Sequence, residues 1–263
     1  MGGLCDKGCG TVDLRCGDSK DVLKTISDES IDMIMTSPPY DDLRKYKGYS
    51  FDFEPIADEL ARVLKNGGTM VWVVGDQTKN GTESLSSFRQ AIYFHDHCKL
   101  NVYDTMIYKK KCFVPLSHRR YEQCFEYIFV FTKGKPNAFN GIRVPCKWAG
   151  TKYLGSPNLY KDNSGDLTSI GQKTIQDTKL HENIFEYLVG SMTETKKYKH
   201  PAMFPLQLAI DQISTWSNVN DTVLDPFCGA STTGVACKQL NREYIGIDIS
   251  EEYINMSKER LSC

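Results

Sequence analysis

Thr222-Val223-Leu224-Asp225-Pro226-Phe227-Cys228-Gly229-Ala230-Ser231, a helical stretch to Leu240 and then Tyr244-Ile245-Gly246-Ile247-Asp248 form the segment that decides the fold. A short β-rich run ends on a carboxylate, turns through a glycine, crosses back in a helix and repeats as a second strand ending on Asp248. That is one β-α-β half of a nucleotide-binding sheet, in which ligands sit beyond the carboxyl ends of the strands. Asp248 follows the turn by about 20 residues, where a carboxylate accepts hydrogen bonds from ribose hydroxyls. Gly229 is the one glycine of the tight turn, and Gly-x-Gly-x-x-Gly is absent. A nucleoside without phosphates therefore fits better than a pyrophosphate-bearing dinucleotide. The same pattern would also serve a plain sheet turn with an acidic strand end.

Toward the N-terminus the chain keeps alternating short β-rich runs with helical stretches, which points to a sheet covered by helices. Val12–Arg15 reads as a strand, followed by Gly17-Asp18 and a helix through Leu23; Ile31–Met35 reads as the next strand. Phe53–Leu64 has apolar residues at helical spacing, and Asn66-Gly67-Gly68 after it reads as a C-cap. Thr69–Val74 is a strand apolar on both faces, and Ser84–His97 a helix. Val102–Tyr108 and Tyr127–Thr132 are two strands separated by the basic segment Lys109–Arg120. From Lys133 to Lys199 periodicity is lost, and 11 Lys and Arg stand against 6 Asp and Glu. Order resumes with helices Met203–Trp216 and Glu251–Leu261 around the opening segment. The sum is about seven strands and one irregular basic insert.

Thr36-Ser37-Pro38-Pro39-Tyr40 ends one of those strands. Two consecutive prolines cannot continue a strand ladder, so this is a loop at a strand's carboxyl end. Ser37 is a small acceptor, the prolines hold their carbonyls rigidly, and Tyr40 offers an aromatic face. Such a loop can grip an amino group while a planar ring stacks on Tyr40. Proline-rich turns are common, and the loop gains its weight from the sheet it ends.

Composition excludes several other classes. The 263 residues include 25% charged residues at a net charge of −1, and no apolar run approaches the ~20 residues of a membrane-spanning helix. The N-terminus lacks the basic flank and apolar core of a secretion signal, so a cytoplasmic location is expected. Ten cysteines are scattered without a Cys-x-x-Cys pair, which reads as free thiols rather than a disulfide framework or a metal site.

Taken together, Ser37-Pro38-Pro39-Tyr40 and Asp225-Pro226-Phe227-Cys228-Gly229 resemble the two signature loops of the β class of DNA amino-methyltransferases. That class runs from catalytic loop through target-recognition region to cofactor loop, the order found here. His200-Pro201-Ala202-Met203-Phe204-Pro205 is similar to the element preceding the helix that closes on the methionine end of the cofactor. Gly17-Asp18 is similar to the acidic strand end that reaches its adenine. Ala230-Ser231-Thr232 departs from the usual Ser-Gly-Thr.

The resemblance implies an α/β, Rossmann-like S-adenosylmethionine-dependent methyltransferase fold. Its mostly parallel seven-stranded sheet carries a C-terminal-half β-hairpin, in circularly permuted order, with an inserted target-recognition region. It divides the chain into a catalytic segment (residues 1–133), an insert (residues 134–199) and a cofactor-binding segment of the same domain (residues 200–263). Ser37, Pro38, Pro39 and Tyr40 become the catalytic set. Asp18, Thr36, His200, Pro201, Phe204, Asp225, Pro226, Phe227, Cys228, Gly229 and Asp248 become the binders of S-adenosyl-L-methionine. No metal is implied.

Double-stranded DNA is the expected partner, and Lys109, Lys110, Lys111, Arg119, Arg120, Arg143, Lys147 and Lys152 are the expected phosphate contacts. Trp148, Tyr153 and Tyr160 are candidates for filling the space of a flipped base or contacting base edges. A homodimer and a companion restriction endonuclease are further partners by family analogy. Within the family, Ser before Pro-Pro accompanies N4-cytosine enzymes and Asp accompanies N6-adenine enzymes, so Ser37 favours cytosine. The alternatives are an N6-adenine enzyme, an RNA or protein methyltransferase, and an inactive DNA-binding module. Pro145-Cys146 lies in the insert without the context that a C5-cytosine nucleophile requires.

Overall fold

The computed structural model describes residues 10–39, 51–111, 120–153, 160–161, 167–168, 173–189 and 203–262. It divides into two compact units, residues 1–140 with 183–263, and residues 141–182.

The larger unit is built on one sheet of eight strands: β1 (Val12–Cys16), β2 (Ile31–Thr36), β3 (Leu64–Val74), β4 (Asn101–Lys111), β5 (Phe125–Thr132), β6 (Ile184–Leu188), β7 (Thr222–Asp225) and β8 (Glu243–Asp248). Their order is β1-β8-β7-β2-β3-β5-β4-β6. Only β5 runs antiparallel to its neighbours. The seven expected strands are all present. The eighth, β6, comes from the stretch without periodicity, because its register is set by pairing with Ile107–Lys111 and not by a pattern of its own. The β4–β5 hairpin lies in the N-terminal half of the chain, not the C-terminal half. It precedes β7 and β8 in the chain.

Strand alternation supplies both faces of the sheet. Met33, Met35, Val71 and Val73 point into one core with Leu208, Ile213, Ala236 and Ile254. Ile34, Met70, Trp72 and Val74 point into the other with Ile56, Leu60, Phe94 and Leu23. The helices that close those faces are α1 (Ser19–Val22), α2 (Phe53–Val63), α3 (Ser86–Asp96), α4 (Leu206–Trp216), α5 (Thr232–Leu240) and α6 (Glu251–Leu261). The result is an α/β/α sandwich, the layering that covers a mostly parallel sheet.

Two details correct the expectations from sequence. Helix α2 ends at Val63, and β3 begins at once at Leu64. Gly67, at φ 81°, lies inside that strand instead of capping the helix. Its amide donates to the Lys133 carbonyl and its carbonyl accepts from Asn137 N, and a Cβ there would collide with the Asn137 side-chain amide. The glycine is required by a close approach of two chain segments. Lys109–Lys111 complete β4 rather than opening a basic connector, since β6 pairs with them residue for residue.

The smaller unit is a set of nested antiparallel ladders. Arg143–Pro145 pairs with Thr178–Leu180, Lys152–Tyr153 with Lys173–Thr174, and Tyr160–Lys161 with Leu167–Thr168.

Candidate functional site

Parallel pairing brings together segments that are far apart in the chain. β2 and β7 are neighbours, with Leu224 opposite Ile34, so the loop after Thr36 and the turn after Asp225 open on the same edge of the sheet. β1 and β8 are also neighbours, with Cys16 opposite Asp248, which places Asp18 beside the second acidic strand end. A cavity lies at this edge. It is lined by Ser37 from the first loop, Met203 and Phe204 ahead of α4, and Phe227 through Ala230 with Thr232 from the turn.

The turn is held in a strained shape by named contacts. Gly229 and Ser231 both have positive φ, 50° and 51°. Ser231 occupies the position where the family resemblance leads one to expect glycine. Its left-handed backbone costs a non-glycine residue about 1–2 kcal/mol. The Tyr244 hydroxyl donates to Ser231 Oγ at 3.2 Å, and Ser231 N donates to the Cys228 carbonyl. Behind the turn, Ser257 Oγ donates to the Gly229 carbonyl, and buried Arg260 donates to the Ala230 carbonyl and to Thr232 Oγ1.

Two carboxylates organise the strand ends. Asp225 is buried and accepts from Thr36 Oγ1 and Thr233 Oγ1, both at 2.7 Å, and from Phe227 N at 3.2 Å. Burial pushes its carboxyl up to about 6, against the pull of these three donors. Asp248 accepts from Gly229 N at 3.0 Å and Ser250 N at 2.8 Å, tying the turn to the start of α6. Burial raises it above the usual carboxylate range. The side chain of exposed Asp18 caps α1 through Lys20 N. Cys228 is buried, its thiol pushed up by burial, and its amide donates to the Ile247 carbonyl. The Pro226 carbonyl accepts from Ser19 Oγ.

Of the expected catalytic and cofactor residues, Ser37, Phe204, Phe227, Cys228 and Gly229 line the cavity. Thr36 and Asp225 lie behind it and face each other. Pro38 is buried and Pro39 half-buried at the end of β2. Tyr40, His200, Pro201 and Arg119 lie outside the described residues. Met203, Thr232, Thr233, Tyr244 and Arg260 carry no role in the sequence reading. A threonine in the first turn of a helix reads there as an ordinary cap, and the other residues show no pattern of their own.

The expected DNA contacts fall in both units. Lys109 and Lys111 both pair with Glu186, at 2.5 and 2.9 Å, and Lys110 pairs with Glu126 at 2.5 Å. Arg120 donates to the Gly81 carbonyl and lies 3.9 Å from Glu83. In the smaller unit, Arg143 donates to Thr178, Lys147 lies over the exposed Trp148 ring at 5.3 Å, and Lys152 is exposed. The side chains of Tyr153 and Tyr160 are outside the described set. Among the described residues no group of His, Cys, Asp or Glu is arranged to hold a metal, and no helix is long and apolar enough to cross a membrane.

The cavity's chemistry tests which cofactor fits. Among the described residues that line it none is Lys or Arg. The described lining includes two aromatic residues, Phe204 and Phe227, and the carboxylates of Asp225 and Asp248 accept from the amides of the same turn. That suits a nucleoside bearing a positively charged, phosphate-free group, because aromatic faces and nearby carboxylates both favour a cation. Fold and site thus define a Rossmann-like protein with a cavity at the carboxyl ends of its parallel strands, the place where such sheets hold a nucleoside cofactor.

Comparison with known proteins gives the family. The profile of the N6/N4 DNA methylases matches residues 31–259. The chain is 44% identical to the orphan methyltransferase M.BamHII of Bacillus amyloliquefaciens, over 90% of this chain and 91% of that one. It is 31% identical to the type II methyltransferase M.HpaI of Haemophilus parainfluenzae, over 94% of this chain and 73% of the relative. A solved complex of M1.HpyAVI with S-adenosylmethionine superposes at TM-score 0.63 with 26% identity, covering 95% and 100% of the two chains. The cytosine-N4-specific PvuII DNA methyltransferase shares the fold at TM-score 0.68 and 21% identity, over 97% and 89%. The chain belongs to the N6/N4 DNA methylase family, and it is a DNA methyltransferase that uses S-adenosyl-L-methionine.

Proposed function

We propose that this protein methylates the exocyclic N4 of cytosine in double-stranded DNA, taking the base out of the helix and transferring the methyl group directly. The observation that carries this reading is the place of Ser37. It lines the same cavity as the Phe227–Ala230 turn, so an amine held at Ser37 would lie across that cavity from the cofactor loop.

The exocyclic nitrogen is conjugated with its ring and weakly nucleophilic. Ser37 Oγ and the Pro38 carbonyl accept its two hydrogens, which turns the nitrogen lone pair toward the cavity. Tyr40 stacks on the flipped ring, the usual way of holding an extruded base. The Phe227–Gly229 turn, Asp248 and Phe204, together with Asp18, His200 and Pro201, would hold the cofactor. S-adenosyl-L-methionine would supply an electrophilic methyl on a sulfonium that departs as a neutral thioether, and the methylated nitrogen would release one of its two protons to solvent. The chain's own contribution is positioning and electrostatics, with no covalent enzyme adduct.

Residues 134–199 are the proposed target-recognition insert, flanked by the catalytic segment (residues 1–133) and the cofactor-binding segment (residues 200–263). The basic residues of the insert, with Lys109, Lys110, Lys111, Arg119 and Arg120, are the proposed phosphate contacts. A cytoplasmic location, a homodimer and a companion restriction endonuclease complete the proposal on family analogy.

Methylation of mixed-sequence duplex with labelled cofactor, followed by mass analysis of the nucleosides, tests the base. N4-methylcytosine is expected. N6-methyladenine would overturn cytosine and place this chain functionally with relatives such as the DNA adenine methyltransferase YhdJ of Escherichia coli, which is 28% identical. Ser37→Ala is expected to lower the transfer rate at least tenfold, and full activity would remove the hydroxyl from the mechanism.

A further inference from the structure

Asp225 opens the turn sequence that lines the cavity, yet it does not line the cavity itself. It is 2% exposed, and one carboxylate oxygen accepts from Thr36 and Phe227 while the other accepts from Thr233. Thr36 and Thr233 are themselves fully buried and also absent from the cavity wall. Each of the three donors, however, is tied to that wall. Phe227 belongs to it; Thr36 is followed in the chain by Ser37, which lines it; Thr233 is preceded by Thr232, which lines it. One carboxylate thus connects the end of β2, the turn after β7 and the first turn of α5, and each connection ends one peptide bond or less from a cavity residue.

We propose that Thr36 and Thr233 are positioning residues for methyl transfer, acting through Asp225 to fix the target-amine acceptor at Ser37 against the cofactor turn. The inference rests on the reading of Ser37 as that acceptor. Neither threonine is among the residues that line the cavity. Together they set the distance between the loop that holds the base and the loop that holds the cofactor, and a displacement of about 1 Å between reacting groups can cost about a hundredfold in rate. The arrangement also explains why a buried carboxylate with only neutral donors is kept here. A carboxylate accepts several hydrogen bonds at once, and one side chain can therefore join three segments.

The titratable groups that face Asp225 are Asp248, the Cys228 and Cys237 thiols and the Tyr244 hydroxyl. The thiols and the phenol are pushed up by burial and stay neutral through the assay range. Asp248 is the remaining charge, and it acts to raise Asp225. Removing either hydroxyl takes away a donor that favours the ionised form, so Asp225 would titrate closer to neutrality.

The test compares Thr36→Val and Thr233→Val, which keep shape and lose the hydroxyl, with Thr36→Ser and Thr233→Ser, which keep it. Three quantities are measured. They are the single-turnover methylation rate at saturating DNA and cofactor, the cofactor dissociation constant by calorimetry without DNA, and the pH profile of the rate. Each Val variant is expected to lose about ten- to a hundredfold in rate, with its cofactor dissociation constant within about threefold of wild type. Its acid limb is expected to move to higher pH, and each Ser variant to recover most of the rate. A Val variant with wild-type rate and wild-type pH profile overturns the proposal. So does a loss confined to cofactor affinity, with the rate restored at saturation. Where a Val variant does not fold, Thr→Cys, close in size and a far weaker donor, takes its place with the same expected result. Full activity in Ser37→Ala beside an impaired Thr233→Val would reject the role of Ser37 and retain the clamp. The opposite pair of results would reject the clamp alone.

Discussion

The Tyr244 hydroxyl donates to Ser231 Oγ at 3.2 Å, joining a buried tyrosine of β8 to a serine held at φ 51° in the cofactor turn. The left-handed backbone disfavours serine, and the hydrogen bond offsets part of that cost. Tyr244→Phe is therefore expected to destabilise the protein by about 1 kcal/mol, the usual worth of a neutral hydrogen bond. In a Ser231→Gly background the same change should cost close to nothing, since glycine needs no support at positive φ. Urea denaturation of the two single variants and the double variant reads the coupling. Equal costs of Tyr244→Phe in both backgrounds would show that the tyrosine does not stabilise the turn through Ser231.

Gly234, in α5, makes room for the ring of the same tyrosine. A Cβ there would lie 2.5 Å from Tyr244 Cε1, and both residues are buried. Alanine would ordinarily stabilise a helix interior relative to glycine. Here Gly234→Ala is expected to destabilise by about 1–3 kcal/mol through overpacking. It should also weaken cofactor binding, because the displaced ring carries the hydroxyl that supports Ser231. A thermal melt with and without cofactor reads both effects, and a rise in melting temperature would contradict the packing argument.

Asp225 gives the stability of this protein an inverted pH term. Its carboxyl is pushed up to about 6 by burial, whereas in the unfolded chain it would titrate near 3.9. Between about pH 4 and 6 the folded state binds more protons than the unfolded state, so this group's contribution falls as pH rises. The contribution is complete below about pH 4 and is lost by the time pH has passed about 6. Asp248, also raised by burial, acts in the same direction. Asp225→Asn removes the titration, so the wild type should gain stability relative to the variant as pH falls from about 7 to 4. Denaturation curves at several pH values measure that difference. A difference that stays constant, or that grows with pH, would mean that Asp225 is ionised throughout.

The elements of the fold that are legible in the sequence are those that bury both faces of a strand or one face of a helix. Met33-Ile34-Met35 and Met70-Val71-Trp72-Val73-Val74 alternate between two cores, and that alternation is local. Ile184–Leu188 is not legible, because it is an edge strand whose burial alternates while its sequence does not, exposed Ile184 and Leu188 being apolar, and its place depends on distant residues 107–111. The ladders within 141–182 are two or three residues long, too short to carry a period. Gly67-Gly68 reads as a cap because a glycine after a helix signals one, whereas here the requirement comes from Asn137, some seventy residues away. The site divides along the same line. Ser37 and the Phe227–Gly229 turn are contiguous motifs and can be found, while Thr233, Tyr244 and Arg260 act only through tertiary contacts. Asp225 is legible as a residue of the site, but as a cofactor ligand, since sequence alone does not tell which way a strand-end carboxylate faces.

Glu186 restrains two lysines at the end of β4. The parallel register sets it opposite Lys109, and its two oxygens accept from Lys109 and Lys111 at 2.5 and 2.9 Å. The Lys109 ammonium first, and then that of Lys111, holds its carboxyl down at about 2, so it remains charged at any working pH. A phosphate approaching either lysine must compete with this carboxylate. If Lys109 and Lys111 contact DNA, Glu186→Gln should tighten non-specific DNA binding several-fold at low salt. It should also steepen the dependence of log affinity on log salt by about one to two, because each lysine newly engaged releases about 0.9 of a counterion. Lys109→Ala combined with Lys111→Ala should move both quantities the other way. Titration of a labelled duplex at several salt concentrations measures the slope. If Glu186→Gln leaves slope and affinity unchanged, the two lysines serve to hold β6 against β4, and the phosphate contacts of this protein lie elsewhere.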